Sequence, residues 1–324
     1  MLRTFGPGCD GNSLGPGLEI PEGATWIDLE QPTRDEELLV ERCLGLEVPT
    51  QSEMAEIEPS SRLYEQDGVL YMTISALWGI SEGDPQTTPV GFVLSGNRVV
   101  TVRSHTPKPV AVFADHVKRE PGLARDADTV LLRLLDAFID RLADELEAVG
   151  TDLETISSQI FARKLEARRI PADRLTALLT SIGRTQSLLA KIRYSAVTTS
   201  RMLGFLAGSH RLNDPAQGEA RNHMTSLMTD VSSLAEHANF LADNVIFLLD
   251  ASLGLISIEQ NAAMKIFSWA AVVFLPPTLI AGIYGMNFKV FPELRWEFGY
   301  PVALAMMLAS AILPYLYFRR RGLL

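Results

Sequence analysis

The amino-acid sequence predicts an α+β cytoplasmic domain followed by a long helical stalk or funnel and two transmembrane helices. Three observations carry this. Short strand-like and helix-like stretches mix over the first 124 residues, the pattern of one small α/β layer domain. A helical apolar pattern then runs from Ala216 to Leu275 without a proline. Two apolar runs without charge, Ile266 to Ile283 and Pro301 to Phe318, close the chain, each roughly long enough to cross a hydrocarbon core.

Taken in order, residues 1 to about 24 are Gly/Pro-rich and read as loose, apart from a short strand at Met1 to Phe5. Thr25-Trp26-Ile27-Asp28-Leu29 reads as a strand ended by Gln31-Pro32. Asp35 to Leu46 has helical spacing, with Leu38, Leu39 and Cys43 on one side. Thr50 with Glu53 forms the reciprocal cap of a short helix. Arg62 to Trp78 and Val90 to Arg103 read as strands, the latter turning at Ser95-Gly96-Asn97, and Pro107 to Lys118 returns to helix. From Asp126 a leucine-rich stripe through Phe138 and Leu146 predicts a helix reaching toward Phe161. Pro171-Ala172-Asp173 opens another, ending near Leu206. Asn213-Asp214-Pro215 caps a third, which from Ala216 to Gly285 would measure about 100 Å at 1.5 Å per residue. Such a helix outgrows a compact domain and implies a stalk bundled with copies of itself.

The resulting division is 1–124 for the N-terminal domain, 125–263 for the stalk, 264–286 for the first membrane helix and 287–299 for an extracytoplasmic loop. The second membrane helix follows at 300–318 and a basic cytoplasmic tail at 319–324. No apolar run occupies the first thirty residues, so no signal peptide is expected and the N-terminal part stays inside. Arg319, Arg320 and Arg321 mark the other end as cytoplasmic too.

The formal net charge is −10. Six basic and two acidic residues follow Met264, so the first 264 residues carry −14. An acidic soluble part argues against nucleic acid, which needs a basic patch, and suits a protein that handles cations. Cys9 and Cys43 give neither a disulfide framework nor zinc-ligand spacing. His105, His116, His210, His223 and His237 are scattered and read as solvated or interface residues. No phosphate-binding loop and no nucleophile–base constellation points to an enzyme or an organic cofactor.

Tyr284-Gly285-Met286-Asn287-Phe288 lies between the two apolar runs, followed by Pro292-Glu293-Leu294, Gly299-Tyr300-Pro301 and the basic end. Together with Ile258-Glu259-Gln260-Asn261 and Phe274-Leu275-Pro276-Pro277-Thr278, these stretches resemble the CorA family of magnesium transport proteins. The close match covers the chain from Ile258 onward, and the domain order fits over the rest. Phe291 departs from it, because the family usually has Met before Pro-Glu-Leu.

The resemblance implies a homopentameric channel in the inner (plasma) membrane, with membrane lipid, divalent cations and copies of itself as partners. It implies passive, gated influx of Mg²⁺, with Co²⁺ and Ni²⁺ admitted. A zinc-transporting relative of the same architecture, or a membrane-anchored sensor domain without transport, are the alternatives. Gly285, Met286 and Asn287 would form the selectivity filter, where amide oxygens can hydrogen-bond the shell of an ion that dehydrates reluctantly. The plainer alternative for Asn287 is a helix-end cap.

Counting back from Asn287 at 3.5 to 3.7 residues, the pore face passes near Leu275, Phe267 or Ala271, Met264, Asn261 and Asp250. Asn261 would be a second polar ring or a register-fixing seam residue, and Asp250 a ring of negative charge or a solvated carboxylate. Met264, Phe267 and Leu275 suit packing and an apolar gate. Glu293 would attract cations in the outer loop. Glu53, Glu56 and Glu58 fall where the family has acidic residues that sense Mg²⁺ between subunits, with Asp230 or the nearby Ser226 as partner. An exposed acidic helix face is the plain alternative.

Overall fold

The computed structural model describes residues 1–15, 19–56, 58–161, 172–213, 218–286 and 296–320. They form two compact units, Met1–Leu249 and Asp250–Leu324.

The first unit is built on a seven-stranded sheet of order β2-β1-β3-β7-β6-β5-β4. Its strands are β1 (Leu2–Gly6), β2 (Cys9–Ser13), β3 (Trp26–Glu30), β4 (Leu63–Gln66), β5 (Val69–Trp78), β6 (Gln86–Ser95) and β7 (Arg98–Arg103). Among the described strands only the central β3–β7 pairing is parallel, running from Trp26↔Val99 to Glu30↔Arg103. The β6–β7 hairpin turns at Gly96-Asn97, with Gly96 at φ 51, and β4–β5 turns at Asp67-Gly68, both at positive φ.

Strand β2 corrects the reading of residues 1–24 as loose. It pairs antiparallel with β1, with Phe5↔Asp10 and Gly6↔Cys9 in register. The hairpin needs Gly6, where a Cβ would sit 2.3 Å from the Gly23 carbonyl oxygen at φ 145. Polar Cys9-Asp10-Gly11-Asn12-Ser13 carries no strand signal of its own. Its neighbour β1 supplies the hydrogen bonds.

One face of the sheet is covered by α1 (Arg34–Leu44) and the short α2 (Gln51–Ala55), each started by a capping box, Thr33 with Glu36 and Thr50 with Glu53. Gly45 ends α1 in the left-handed conformation. Ile27, Leu29, Val40, Leu46, Val48, Met54, Val93, Val100 and Val102 fill the core between these layers. Met54 packs so closely on β6 that a Cβ at Gly91 would lie 2.6 Å from its sulfur. A single turn, α3 (Pro59–Arg62), leads into β4.

The opposite face is covered by α4 (Lys108–Arg119), α5 (Ala127–Phe161) and α6 (Ala172–Gly208). Here Phe5 stacks on Trp26 at 4.3 Å and Trp26 meets Phe113 of α4 at 5.3 Å. A buried hydrogen bond ties α6 to the sheet, the Ser75 amide donating to Thr198 Oγ1 at 3.0 Å, and a part-buried one ties it to α3, Arg62 donating to Tyr194 Oη at 3.0 Å. His105, which the sequence leaves as a solvated or interface residue, is part-buried against the sheet, stacking on Trp78 at 3.9 Å and bonding Thr88 Oγ1 through Nδ1.

The longest element is α7 (Gly218–Tyr284), a single helix that begins in the first unit and ends in the second. Its predicted cap at Asn213-Asp214-Pro215 lies outside the described residues, apart from the Asn213 backbone. In the second unit α8 (Gly299–Arg320) follows. Both helices are long and apolar enough to cross a membrane, and almost none of their apolar windows is buried. Trp269 of α7 meets Phe318 of α8 edge-on at 5.2 Å.

Candidate functional site

The second unit's part of α7 holds most of the residues the sequence singles out. At 100° per residue, Asp250, Ser257, Asn261, Met264, Ser268, Ala271 and Leu275 fall within an arc of about 80° on one face. Phe267 sits at about 80° from Leu275, on the flank of that stripe. Met264, Phe267 and Leu275 are 66, 76 and 67% exposed, which in an aqueous protein would be untenable for one contiguous apolar surface. The stripe is polar at its start, at Asp250, Ser257 and Asn261, and apolar beyond apart from Ser268. Ser257 and Ser268 fold their hydroxyls back onto the carbonyls of Leu253 and Met264, satisfying them within the helix.

The helix ends where the sequence motif begins. Gly285 and Met286 donate their backbone amides to the carbonyls of Ala281 and Ile283, closing the last turn. A Cβ at Gly285 would lie 3.0 Å from the Ala281 oxygen, so the tight end suits glycine. Asn287 and Glu293 lie outside the described residues.

The acidic candidates of the first unit differ in how free they are. Glu53 is engaged in the cap of α2, accepting from the Thr50 amide at 2.8 Å and its hydroxyl at 2.9 Å. Glu56 ends that helix, its carbonyl taking a hydrogen bond from Arg62 Nε, and Glu58 is exposed. Asp230 is exposed on α7, with Ser226 Oγ at 3.4 Å. Among the described residues no hydrogen bond or ion pair joins Asp230 to Glu53, Glu56 or Glu58, and no group of three or more metal-ligating side chains has metal-binding geometry.

The structure instead brings Asp230 toward an acidic row that sequence reasoning missed. Asp136, Asp140 and Asp144 recur every fourth residue along α5. Partial burial, then the charges of Asp136, Asp144 and Asp230, hold the Asp140 carboxyl above the ordinary aspartate range. His223 of α7 lies 3.6 Å from Asp136. The i, i+4, i+8 spacing was the available signal, but spacing alone does not reveal that α7 adds a fourth carboxylate.

A second network is structural. Arg103 and Asp28, both fully buried, pair at 2.9 Å, while Arg3 reaches Asp28 at 2.7 Å and Arg103 reaches Glu30 at 3.0 Å. Burial pushes the Asp28 carboxyl up, but the hydrogen bonds and charges of Arg103, Arg3 and Thr101 more than offset it and hold it below the usual value.

Comparison with known proteins agrees over nearly the whole chain. A profile of the family described as CorA-like Mg2+ transporter protein matches residues 21–320. The chain is 36% identical over 300 residues to the magnesium transport protein CorA of Haemophilus ducreyi, covering 92% of each. It is 35% identical over 310 residues to the protein of that name from Escherichia coli K12, covering 94% of this chain and 95% of the relative. Among solved structures, the complete CorA magnesium transporter of Methanocaldococcus jannaschii superposes with a TM-score of 0.77 at 19% identity, covering 98 and 97% of the two chains. The full-length CmaX protein gives 0.69 at 17% identity, covering 91% of this chain and 87% of its own. These two likenesses establish a shared fold.

Proposed function

The chain belongs to the CorA-like Mg²⁺ transporter family, and from that premise we propose that it conducts Mg²⁺ passively into the cell through a homopentameric pore in the inner membrane. Co²⁺ and Ni²⁺ would pass by the same route. Both termini would face the cytoplasm. The observation that carries this reading is the graded stripe on α7, polar at Asp250 and Asn261 and apolar at Met264, Ala271 and Leu275, leading into Gly285 and Met286 at the helix end.

In a ring of five, Asp250 gathers cations at the inner mouth and Asn261 offers an amide ring to a hydrated ion. Met264 and Leu275, flanked by Phe267, form an apolar constriction that closes by dewetting. Gly285, Met286 and Asn287 form the outer filter, where Asn287 hydrogen-bonds the hydration shell instead of stripping it, and Glu293 attracts ions to the loop. Inward movement needs no ATP, since a divalent cation gains about 4.6 kcal/mol per 100 mV of inside-negative potential.

Self-association has support of its own. In the first unit α5 and α7 border an open groove of about 930 Å³, lined by Phe161, His237, Phe240, Asn244 and Phe247. Phe240 and Phe247 are about 60% exposed, a surface that suits a neighbouring copy of the stalk. Cytoplasmic Mg²⁺, bound between subunits by Glu53, Glu56, Glu58 and Asp230, would hold the closed state.

The decisive experiment is ion uptake by the purified protein in sealed liposomes, with Mg²⁺, Co²⁺, Ni²⁺ and Zn²⁺ in turn. Potential-driven Mg²⁺ uptake is expected. Uptake of Zn²⁺ alone would favour the zinc-transporting alternative, and no flux of any ion would favour an anchored sensor.

A further inference from the structure

The two candidate membrane helices carry three prolines inside them, Pro276 and Pro277 in α7 and Pro314 in α8. Proline has no amide hydrogen, so each removes one rung of the helical ladder. At the Pro276-Pro277 pair the effect compounds. The Val273 carbonyl loses its donors at both i+3 and i+4, and the Val272 carbonyl loses its i+4 donor. In α8, Pro314 withdraws the donor for the Ser310 carbonyl.

The Trp269–Phe318 contact sets the level of one helix against the other. Measured from it at 1.5 Å per residue, the missing rungs of α7, Val272 to Pro277, lie about 4 to 12 Å further along. The missing rung of α8, Ser310 to Pro314, lies about 6 to 12 Å further along in the returning direction. The two gaps therefore share one depth.

Hydroxyls flank the gaps on both helices. Thr278 Oγ1 donates to the Phe274 carbonyl at 2.6 Å, and Ser310 Oγ to the Met307 carbonyl at 2.8 Å. Such back-bonding eases a helix toward bending. Sharp bends in helices concentrate where the ladder is interrupted in this way.

We propose that Pro276-Pro277 and Pro314 form a single bending plane across both helices, about which their outer ends tilt together. Leu275 stands at that plane, so the tilt moves the outer end of the apolar constriction while the inner part of α7, with Met264 and Phe267, stays straight. The gate then works by hinge bending of paired helices. The hinge rests on the transport reading only for its flux consequence.

The test uses the full chain with Cys9 and Cys43 replaced by serine and a spin label at Ile283→Cys, in nanodiscs. Distances between labels on neighbouring copies are measured with and without Mg²⁺. In the parent they should spread and shift with Mg²⁺. In P276A/P277A, which restores both donors, they should narrow and cease to shift, and Mg²⁺ influx into liposomes should fall about tenfold. P276G/P277G restores the donors but keeps a pliable backbone, and should recover much of both responses.

P314A alone should give an intermediate loss, and it stands in where the double alanine variant fails to assemble. Label distances in P276A/P277A that still shift with Mg²⁺ as in the parent would overturn the hinge, as would a glycine variant no better than the alanine one. If the parent conducts no Mg²⁺ yet its labels respond, the transport reading fails while the hinge stands.

Discussion

The Arg103 guanidinium meets the Asp28 carboxylate at 2.9 Å with neither side chain reaching solvent, across the one parallel pairing in the sheet. Thr101 adds a hydrogen bond to the same carboxylate at 2.7 Å and takes one from the Trp26 indole at 3.0 Å. The pair therefore locks the register of β3 against β7 from the side that α4 and α5 cover.

Arg103→Met should destabilise the first unit by about 3–5 kcal/mol, because it strands a buried carboxylate that Arg3 alone must then balance. Calorimetry or denaturant titration reads the loss. The pH response has a fixed sign. Asp28 is held below its ordinary value of 3.8, so its stabilisation is complete above that value and is lost as pH falls from there through the folded value. Glu30, also lowered, loses its share in the same direction from 4.5 downward. In the Arg103→Met variant the acid limb should flatten.

Asp140 has the opposite sign. Its folded value is raised above 3.8, so the unfolded chain releases the proton first and stability falls as pH climbs from 3.8 through the folded value. Asp140→Asn should raise the thermal midpoint slightly at pH 7, and the gain should vanish as pH approaches 3.8. A variant that melts lower at pH 7 would mean that the charges on α5 and α7 do not oppose one another.

Asn287→Ala should leave the oligomer intact by size-exclusion chromatography while Mg²⁺ influx drops by at least about tenfold, because the filter loses its amide ring. Parental flux in an assembled variant would remove Asn287 from the filter.

Met264→Asp and Leu275→Asp should each hydrate the closed constriction and raise resting leak severalfold, read as Mg²⁺ entry at high internal Mg²⁺. Unchanged leak in both would move the constriction elsewhere on α7.

For feedback, five cytoplasmic parts of −14 each would gather about −70 around one axis, a repulsion that bound Mg²⁺ would screen. Mg²⁺ should therefore protect the first unit from limited proteolysis. Neutralising Glu53, Glu56, Glu58 and Asp230 together should weaken that protection and the inhibition of influx. Glutamine is the right replacement at Glu53, since it preserves the α2 cap. Shut-off at the parental Mg²⁺ concentration would exclude these residues as the sensor.

Local chemistry made much of this architecture readable in advance. The Thr50–Glu53 cap, the turn at Gly96-Asn97, the leucine stripe of α5 and the uncharged runs of α7 and α8 each announce themselves within a few residues. Strand β2 does not, because its polar residues become a strand only beside β1. The Asp28–Arg103 pair joins residues far apart in sequence, and α7 brings Asp230 to the α5 acidic row only after folding. For the candidate site, periodicity finds the α7 stripe, while Asn287 and Glu293 rest on the motif that surrounds them.

The parallel β3–β7 pairing also orders events during synthesis. The sheet cannot close until Arg103 has been made, because β7 joins the β1–β3 side to the local β4–β6 ladder through a non-local pairing of the kind that folds slowly. Yet Ile266, where the first apolar run begins, is translated more than 160 residues later. At about 5–20 residues per second that is a delay of roughly 8–30 s. The nascent chain thus has time to close the seven-stranded sheet before the translocation machinery meets a segment that belongs in lipid.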